Sequence, residues 1–336
     1  MNTDHIEVDN PDNPNDDLSD DEWLTPENDE HEEKLNQFMR DTRYPRKQEH
    51  KLHRAIRKND IVGVRTALAN GVSPDGWYDM LPSPISQCIR YERLDIMRLL
   101  FEHNVESPQP CRAENGFEDE LLLAAGKGNL EILKALIEYR EEKRGYRGFT
   151  PGYFDSAEPI HAAAGWNNHV PGCIEWLLER GADINEETPR WHTPLHFAVD
   201  RRQARVDVVQ YLLHKGADVD HVTRFGETAV YLAAKRGNGR VVRELLRESP
   251  RLDQKTEGNE ETVLHAAAAH CSLAVVKMLV EAGADVYARD QKGRSILEYA
   301  RKARRTEIVE WITKAHSSSV VVERALSDEF IYSRLL

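Results

Sequence analysis

The chain has 336 residues, 40% of them hydrophobic, with four cysteines and a net charge of −13. That is enough apolar content for one sizeable folded unit. No apolar run approaches the roughly 18 residues of a membrane span, and the acidic N-terminus is the reverse of a signal or transit peptide. Cys88, Cys111, Cys173 and Cys271 lie far apart and form no C-x-x-C pair, and the sequence has no N-x-S/T sequon. They read as reduced thiols of a cytoplasmic and/or nuclear protein.

The charge is unevenly placed. Residues 1–33 hold fourteen Asp and Glu and no Lys or Arg, which leaves the remaining 303 residues near +1. Residues 1–47 are rich in Asp, Glu, Asn and Pro and cannot bury enough apolar area to offset the entropy of ordering. They are expected to form an acidic disordered arm, with Asp29–Met39 able to form a transient helix. Ser19 precedes Asp20, Asp21 and Glu22, the pattern of an acidophilic phosphorylation site.

From Gln48 a pattern repeats. Its anchors are Leu52, Ile85, Leu121, Ile160, Leu195, Val230, Leu264 and Leu297, at spacings of 33, 36, 39, 35, 35, 34 and 33 residues. Each unit predicts a short helix opening near a Thr-Pro pair, where Pro suits the first helical position. Small residues follow the anchor (Ala124 and Ala125, Ala163 and Ala164, Ala233 and Ala234, Ala267 and Ala268), letting neighbouring units approach. After a turn, a second helix carries the core, as with Val208, Val209, Leu212 and Leu213, or Val275, Val276, Leu279 and Val280. Gly216 and its equivalents then terminate it. The longer spacings before Leu121 and Ile160 predict elongated connections, the second reading "YREEKRGYRGFTPGYFDSAE". Residues 317–336 form a C-terminal extension in which Val322, Leu326 and Phe330 mark a possible amphipathic helix, either a cap or a partner motif.

Period and residues together, as in "TPLHFAV…VDVVQYLLHKGADVD", "TVLHAAA…LAVVKMLVEAGADV" and "EPIHAAA…CIEWLLERGADIN", resemble the ankyrin-repeat family over about residues 48–316. The resemblance implies an all-α solenoid of about eight stacked helix-turn-helix units with projecting β-turn fingers, atypical terminal repeats and a role in protein–protein recognition. It also implies that positions five and six after each anchor face a concave groove. Those positions include Arg57, Lys58, Arg90, Tyr91, Lys127, Trp166, Arg201, Lys235, Arg236 and His270. Eight of the sixteen are Lys or Arg and one is acidic. Such a row is either an ordinary solvated face or a cationic groove with aromatic anchors at Tyr91 and Trp166, suited to an acidic peptide. The arm, with a root-mean-square reach of roughly 38 Å, is a candidate competitor for that groove. At the finger tips, Trp77, Tyr78, Trp191 and Phe225, with Arg190, Arg224, Asp290 and Lys292, form a second candidate contact surface. "LLERGADIN" is similar to the surroundings of asparagines hydroxylated in some ankyrin repeats, which marks Asn185.

No nucleophile elbow, Walker loop, H-E-x-x-H or kinase signature occurs, so no catalytic residue, cofactor or metal site is assigned. His53, His161, His196 and His265 share one slot, directly after the anchor. They read as framework residues bonding nearby backbone. The acidic balance argues against nucleic acid. The expected protein is a monomeric, non-enzymatic adaptor or scaffold. The alternatives are a substrate-receptor subunit of a ubiquitin ligase or other complex, although no F-box or SOCS-box pattern is evident, and an enzyme inhibitor.

Overall fold

A computed structural model describes residues 47–74, 83–103, 120–144, 158–166, 172–201 and 204–314. The chain divides into two compact units, Met1–His50 and Lys51–Leu336. Almost all of the first falls outside the described residues, so the fold is that of the second. Ser19, Trp77, Tyr78, Cys111, the candidate arm, most of both elongated connections and the C-terminal extension also fall outside them.

The described residues form helices in successive pairs. These are α1 (Lys47–Arg57) and α2 (Ile61–Ala69); α3 (Pro84–Arg90) and α4 (Leu94–Glu102); α5 (Glu120–Lys127) and α6 (Leu130–Arg144); α7 (Pro159–Gly165) and α8 (Gly172–Glu179). They continue with α9 (Pro194–Val199) and α10 (Val206–His214); α11 (Ala229–Lys235) and α12 (Gly239–Leu245); α13 (Val263–His270) and α14 (Leu273–Glu281); and α15 (Ile296–Lys302) with a last helix, α16, over 306–314. Among the described residues there is no strand, only the isolated bridges Val222–Thr228 and Arg289–Ser295. From α3 to α15 each first helix packs on the next pair's first helix, and among second helices α4 packs on α6, α6 on α8, α10 on α12 and α12 on α14. This is an all-α, two-layered stack of repeats.

The anchor pattern explains the stack. Every anchor except Leu297, which is half-buried, is buried, and the paired alanines after it are buried at the junctions between first helices. Second helices bury residues at i, i+1 and i+4: Val208, Val209 and Leu212; Val241, Val242 and Leu245; Val275, Val276 and Leu279. Leu213 and Val280, expected in the core, only flank it. Each buried Val or Leu contributes about 1.5–3 kcal/mol, and the interior is one continuous apolar row.

Local chemistry sets the ends of each unit. At the close of α10, Gly216 takes φ +91°, so the N–H of Ala217 reaches the carbonyl of Leu212 at 3.0 Å and that of Gly216 reaches Leu213 at 3.0 Å; this left-handed closure satisfies carbonyls at the helix end. The Asp of each G-A-D run then accepts the N–H two residues on: Asp183 from Asn185, Asp218 from Asp220 and Asp285 from Tyr287, at 2.8–2.9 Å.

One boundary differs from expectation. The segment Tyr139–Arg144, read from sequence as part of a long connection, continues α6. Tertiary contacts hold the extra turns: the Tyr139 ring stacks on Phe101 with centroids 4.0 Å apart, and Glu141 accepts two hydrogen bonds from Arg180 of the next unit.

Candidate recognition surface

The shared histidine slot is a capping device. In α9 the backbone N–H of Thr193 donates to Nδ1 of His196 at 3.2 Å, and in α13 the N–H of Thr262 donates to Nδ1 of His265 at 3.1 Å. In α7 the N–H of Glu158 donates to Nδ1 of His161 at 3.0 Å. An accepting Nδ1 places the ring proton on Nε2. From there His161 donates to the carbonyls of Glu186 (2.9 Å) and His192 (3.1 Å), and His265 to that of Arg294 (3.2 Å). The His161 and His265 rings thus tie their own helix starts to the finger of the following repeat. Burial lowers the pKa of all three, that of His196 to about 3. These histidines are framework residues of the kind the pattern implied. Where α15 has Glu298 in the slot, its carboxylate accepts from the Ser295 N–H at 2.7 Å and performs the same cap.

The fingers from α8 onward are laced by backbone. Arg224 N–H donates to the Arg190 carbonyl (3.0 Å), Glu257 to Phe225 (2.7 Å) and Gln291 to Asn259 (2.8 Å). Within each finger, the leading Thr or Asp side chain accepts inward N–H groups: Thr188 from His192, Thr223 from Phe225 and Glu227, Asp290 from Lys292 and Arg294. Asp290 is not exposed at its tip; it is buried beneath Arg294, whose Nε donates to it at 2.6 Å. Burial raises its pKa, but the bonds from Arg294 and from the Tyr299 hydroxyl prevail and hold the carboxyl at about 2. The Tyr299 hydroxyl lies 2.9 Å from Asp290 and 2.8 Å from Glu261 and shares its one proton between the two carboxylates, and Tyr231 donates to the other Glu261 oxygen at 2.8 Å, so one polar network joins three consecutive repeats. Burial, then the bond to Glu261, raises both phenols.

The groove positions divide. Lys58, Arg90, Lys235, Arg236 and His270 are exposed, while Arg57, Tyr91, Lys127 and Arg201 are half-buried. Lys235 is paired with Glu227 at 2.9 Å and Arg236 with Asp200 at 2.7 Å, which lowers the cationic character expected there. Burial, and then the nearby Arg305, lower the pKa of His270. Lys58, Arg201 and Lys302 meet no carboxylate among the described residues. Trp166 is half-buried against the core, lying over Gly126 of the preceding repeat so closely that a Cβ there would stand 2.2 Å from its ring. Its ring is engaged in packing, a role the sequence did not signal. At the tips, Trp191 is 48% and Phe225 50% exposed. Asn185 bridges to the next repeat, accepting from Asp218 N–H at 2.8 Å and donating to the Gly216 carbonyl at 3.3 Å. Among the described residues no cluster of three His, Cys, Asp or Glu could hold a metal, and no helix is long and apolar enough to cross a membrane.

A stack of helical pairs with laced fingers defines a class of repeat protein built around an extended surface. The family model described as "Ankyrin repeats (3 copies)" matches residues 121–223, 195–290 and 252–323, together more than half of the chain. The chain belongs to the ankyrin-repeat family, and its repeats make it a protein–protein interaction module in the general sense. Among known proteins it is 28% identical over 267 residues, 77% of this chain, to human transient receptor potential cation channel subfamily A member 1. It is 40% identical over 76 residues, 23% of this chain, to serine/threonine-protein kinase VIK of Arabidopsis thaliana, and 33% identical over 87 residues, 25% of this chain, to human diacylglycerol kinase iota. The matched stretches are 23%, 17% and 8% of those proteins, so the chain spans less than a quarter of each. A channel and two kinases of different types have no activity in common, and the likeness carries architecture rather than chemistry.

Proposed function

We propose that this protein is a non-enzymatic adaptor or scaffold that holds an acidic segment of a partner protein along its groove and fingers. The observation carrying this reading is that cations meeting no carboxylate among the described residues and half-exposed aromatics sit at repeat positions directed away from the core: Lys58, Arg201 and Lys302 in the groove, Trp191 and Phe225 at the tips. Arg and large aromatic side chains dominate binding energy where they are left available. In this reading the acidic N-terminal segment competes with the partner, and phosphorylation of Ser19 strengthens that competition by adding about 1.5–2 negative charges. A cytoplasmic or nuclear setting belongs to the same proposal, since buried thiols such as Cys88, Cys173 and Cys271 suit it.

Affinity purification of the full chain from its native cell tests the reading, with a Lys58→Glu/Arg201→Glu variant in parallel. A partner retained by the native chain in a salt-dependent manner and lost by the variant is the expected result. Equal recovery on both rejects the groove. Replacing the acids among residues 16–22 by their amides is expected to raise affinity at low salt; unchanged affinity rejects competition by the arm.

A further inference from the structure

The fingers Thr188–Thr193 ("TPRWHT") and Thr223–Thr228 ("TRFGET") have the same length and the same closing bond: Trp191 N–H donates to Thr188 O at 2.7 Å, and Gly226 N–H to Thr223 O at 2.8 Å. The donating residue occupies a left-handed slot. Gly226 (φ +70°) and Gly293 (φ +73°) fill it in two fingers and Glu260 (φ +54°) in a third, whereas the bulkier Trp191 fills it at φ +60°. A bulky side chain is disfavoured there by contact of its Cβ with the backbone. Burial does not offset the strain, because Trp191 is 48% exposed. A glycine would relieve the backbone and remove an apolar side chain from water. A strained, exposed tryptophan in a slot suited to glycine is unexplained by folding, and backbone strain of this kind concentrates at functional sites.

Its surroundings indicate the ligand. The bond from Arg224 N–H to the Arg190 carbonyl, 3.0 Å, sets the two tips side by side, so Arg190-Trp191 stands next to Arg224-Phe225. Phe225 is 50% exposed. Both arginines are exposed, and neither guanidinium meets a carboxylate among the described residues. Of the finger acids, Glu227 is paired with Lys235 and Glu187 lies beside His221 at 3.7 Å. We infer that these two tips form a clamp for an extended acidic peptide segment of a partner protein. An apolar side chain of that segment lies between Trp191 and Phe225, and flanking carboxylates bind the two guanidiniums bidentately. The inference rests on the recognition reading above and adds the tips to the groove as a second part of the same contact. Arginine and aromatic groups also suit single-stranded nucleic acid, but that mode needs a positively charged groove tracking the backbone, and Lys235 and Arg236 of the same repeat are already paired with Glu227 and Asp200.

Selection of random 16-residue peptides on the full chain at low salt tests this. Enriched peptides are expected to carry Asp and Glu around an aromatic or aliphatic residue. They should bind at least about tenfold more weakly to Trp191→Gly and to Arg190→Glu/Arg224→Glu, while the thermal midpoint of Trp191→Gly stays level or rises. Undiminished binding to Trp191→Gly overturns the inference, as does a lowered midpoint, which would make Trp191 a packing residue. Displacement of the peptides by oligouridylate through these same side chains also overturns it, in favour of nucleic acid. Peptides lost on Lys58→Glu/Arg201→Glu but kept by the tip variants overturn the clamp and leave the recognition reading intact. Failure to enrich any peptide overturns both.

Discussion

Gly126→Ala is a substitution whose sign depends on one neighbouring ring. Gly126 lies in the last turn of α5 without a positive φ, so alanine should gain about 1 kcal/mol in helix propensity. The added Cβ, however, would stand 2.2, 2.4 and 2.9 Å from three atoms of the Trp166 indole, against a normal separation of about 3.5–4.0 Å. The ring must move by more than about 1 Å, and overpacking of this kind costs about 1–3 kcal/mol. The net expectation in the native background is a loss of up to about 2 kcal/mol. In a Trp166→Ala background the obstacle is gone, and the same change should stabilise by about 0.5–1 kcal/mol. The double-mutant cycle is therefore expected to give a coupling of about 2 kcal/mol. Urea titration followed by far-ultraviolet circular dichroism reads all four proteins without depending on the tryptophan. An equal effect of Gly126→Ala in both backgrounds would refute the reasoning.

Acidification should weaken the fold. His161, His192, His196 and His265 all have pKa values lowered chiefly by burial, so below the unfolded value of 6.5 the unfolded chain binds more protons. Stability is then full above pH 6.5 and falls as pH drops towards the folded values; His196 alone, held at about 3, accounts for about 2 kcal/mol between pH 6.5 and 5. A urea midpoint unchanged from pH 7 to 5 contradicts this, and His196→Gln should flatten the slope. Burial pushes the thiols of Cys173 and Cys271 up to about 11 and raises that of Cys88 as well. A Cys111→Ser chain should therefore react with a disulfide reagent at pH 8 only as fast as the fold opens, and a rapid stoichiometric reaction would show otherwise. Tyr299→Phe removes the hydroxyl shared by Glu261, Asp290 and Arg294, with an expected cost of about 1–3 kcal/mol. Hydrogen exchange should locate the loss in the last three repeats rather than uniformly along the stack.

Much of the architecture was legible because the repeat states each rule several times. The Thr at a helix start, the His three positions on, the alanines after the anchor and the Gly-Ala-Asp run each answer a local need within one unit. What escaped the sequence depends on pairs separated by about one repeat. Asp200 neutralises Arg236 and Trp166 lies over Gly126, at separations of 36 and 40 residues. A row of groove positions read one unit at a time therefore looks more cationic than it is. The continuation of α6 was hidden for the same reason, since Tyr139 and Glu141 are held by Phe101 and Arg180 rather than by helical periodicity. Trp191 was legible as a tip aromatic; its left-handed backbone was not, because no pattern of residue types marks a tryptophan standing in glycine's conformation.

The lacing of the fingers separates pitch from identity. Arg224, Glu257 and Gln291 reach back to the preceding tip through main-chain atoms, which every residue except proline supplies alike. The interval between neighbouring tips is thus guarded by the polypeptide itself, and the side chains mounted on it can be exchanged like tools on a common rail. Substitutions along this edge can redirect what the protein holds while leaving the geometry of the holding untouched.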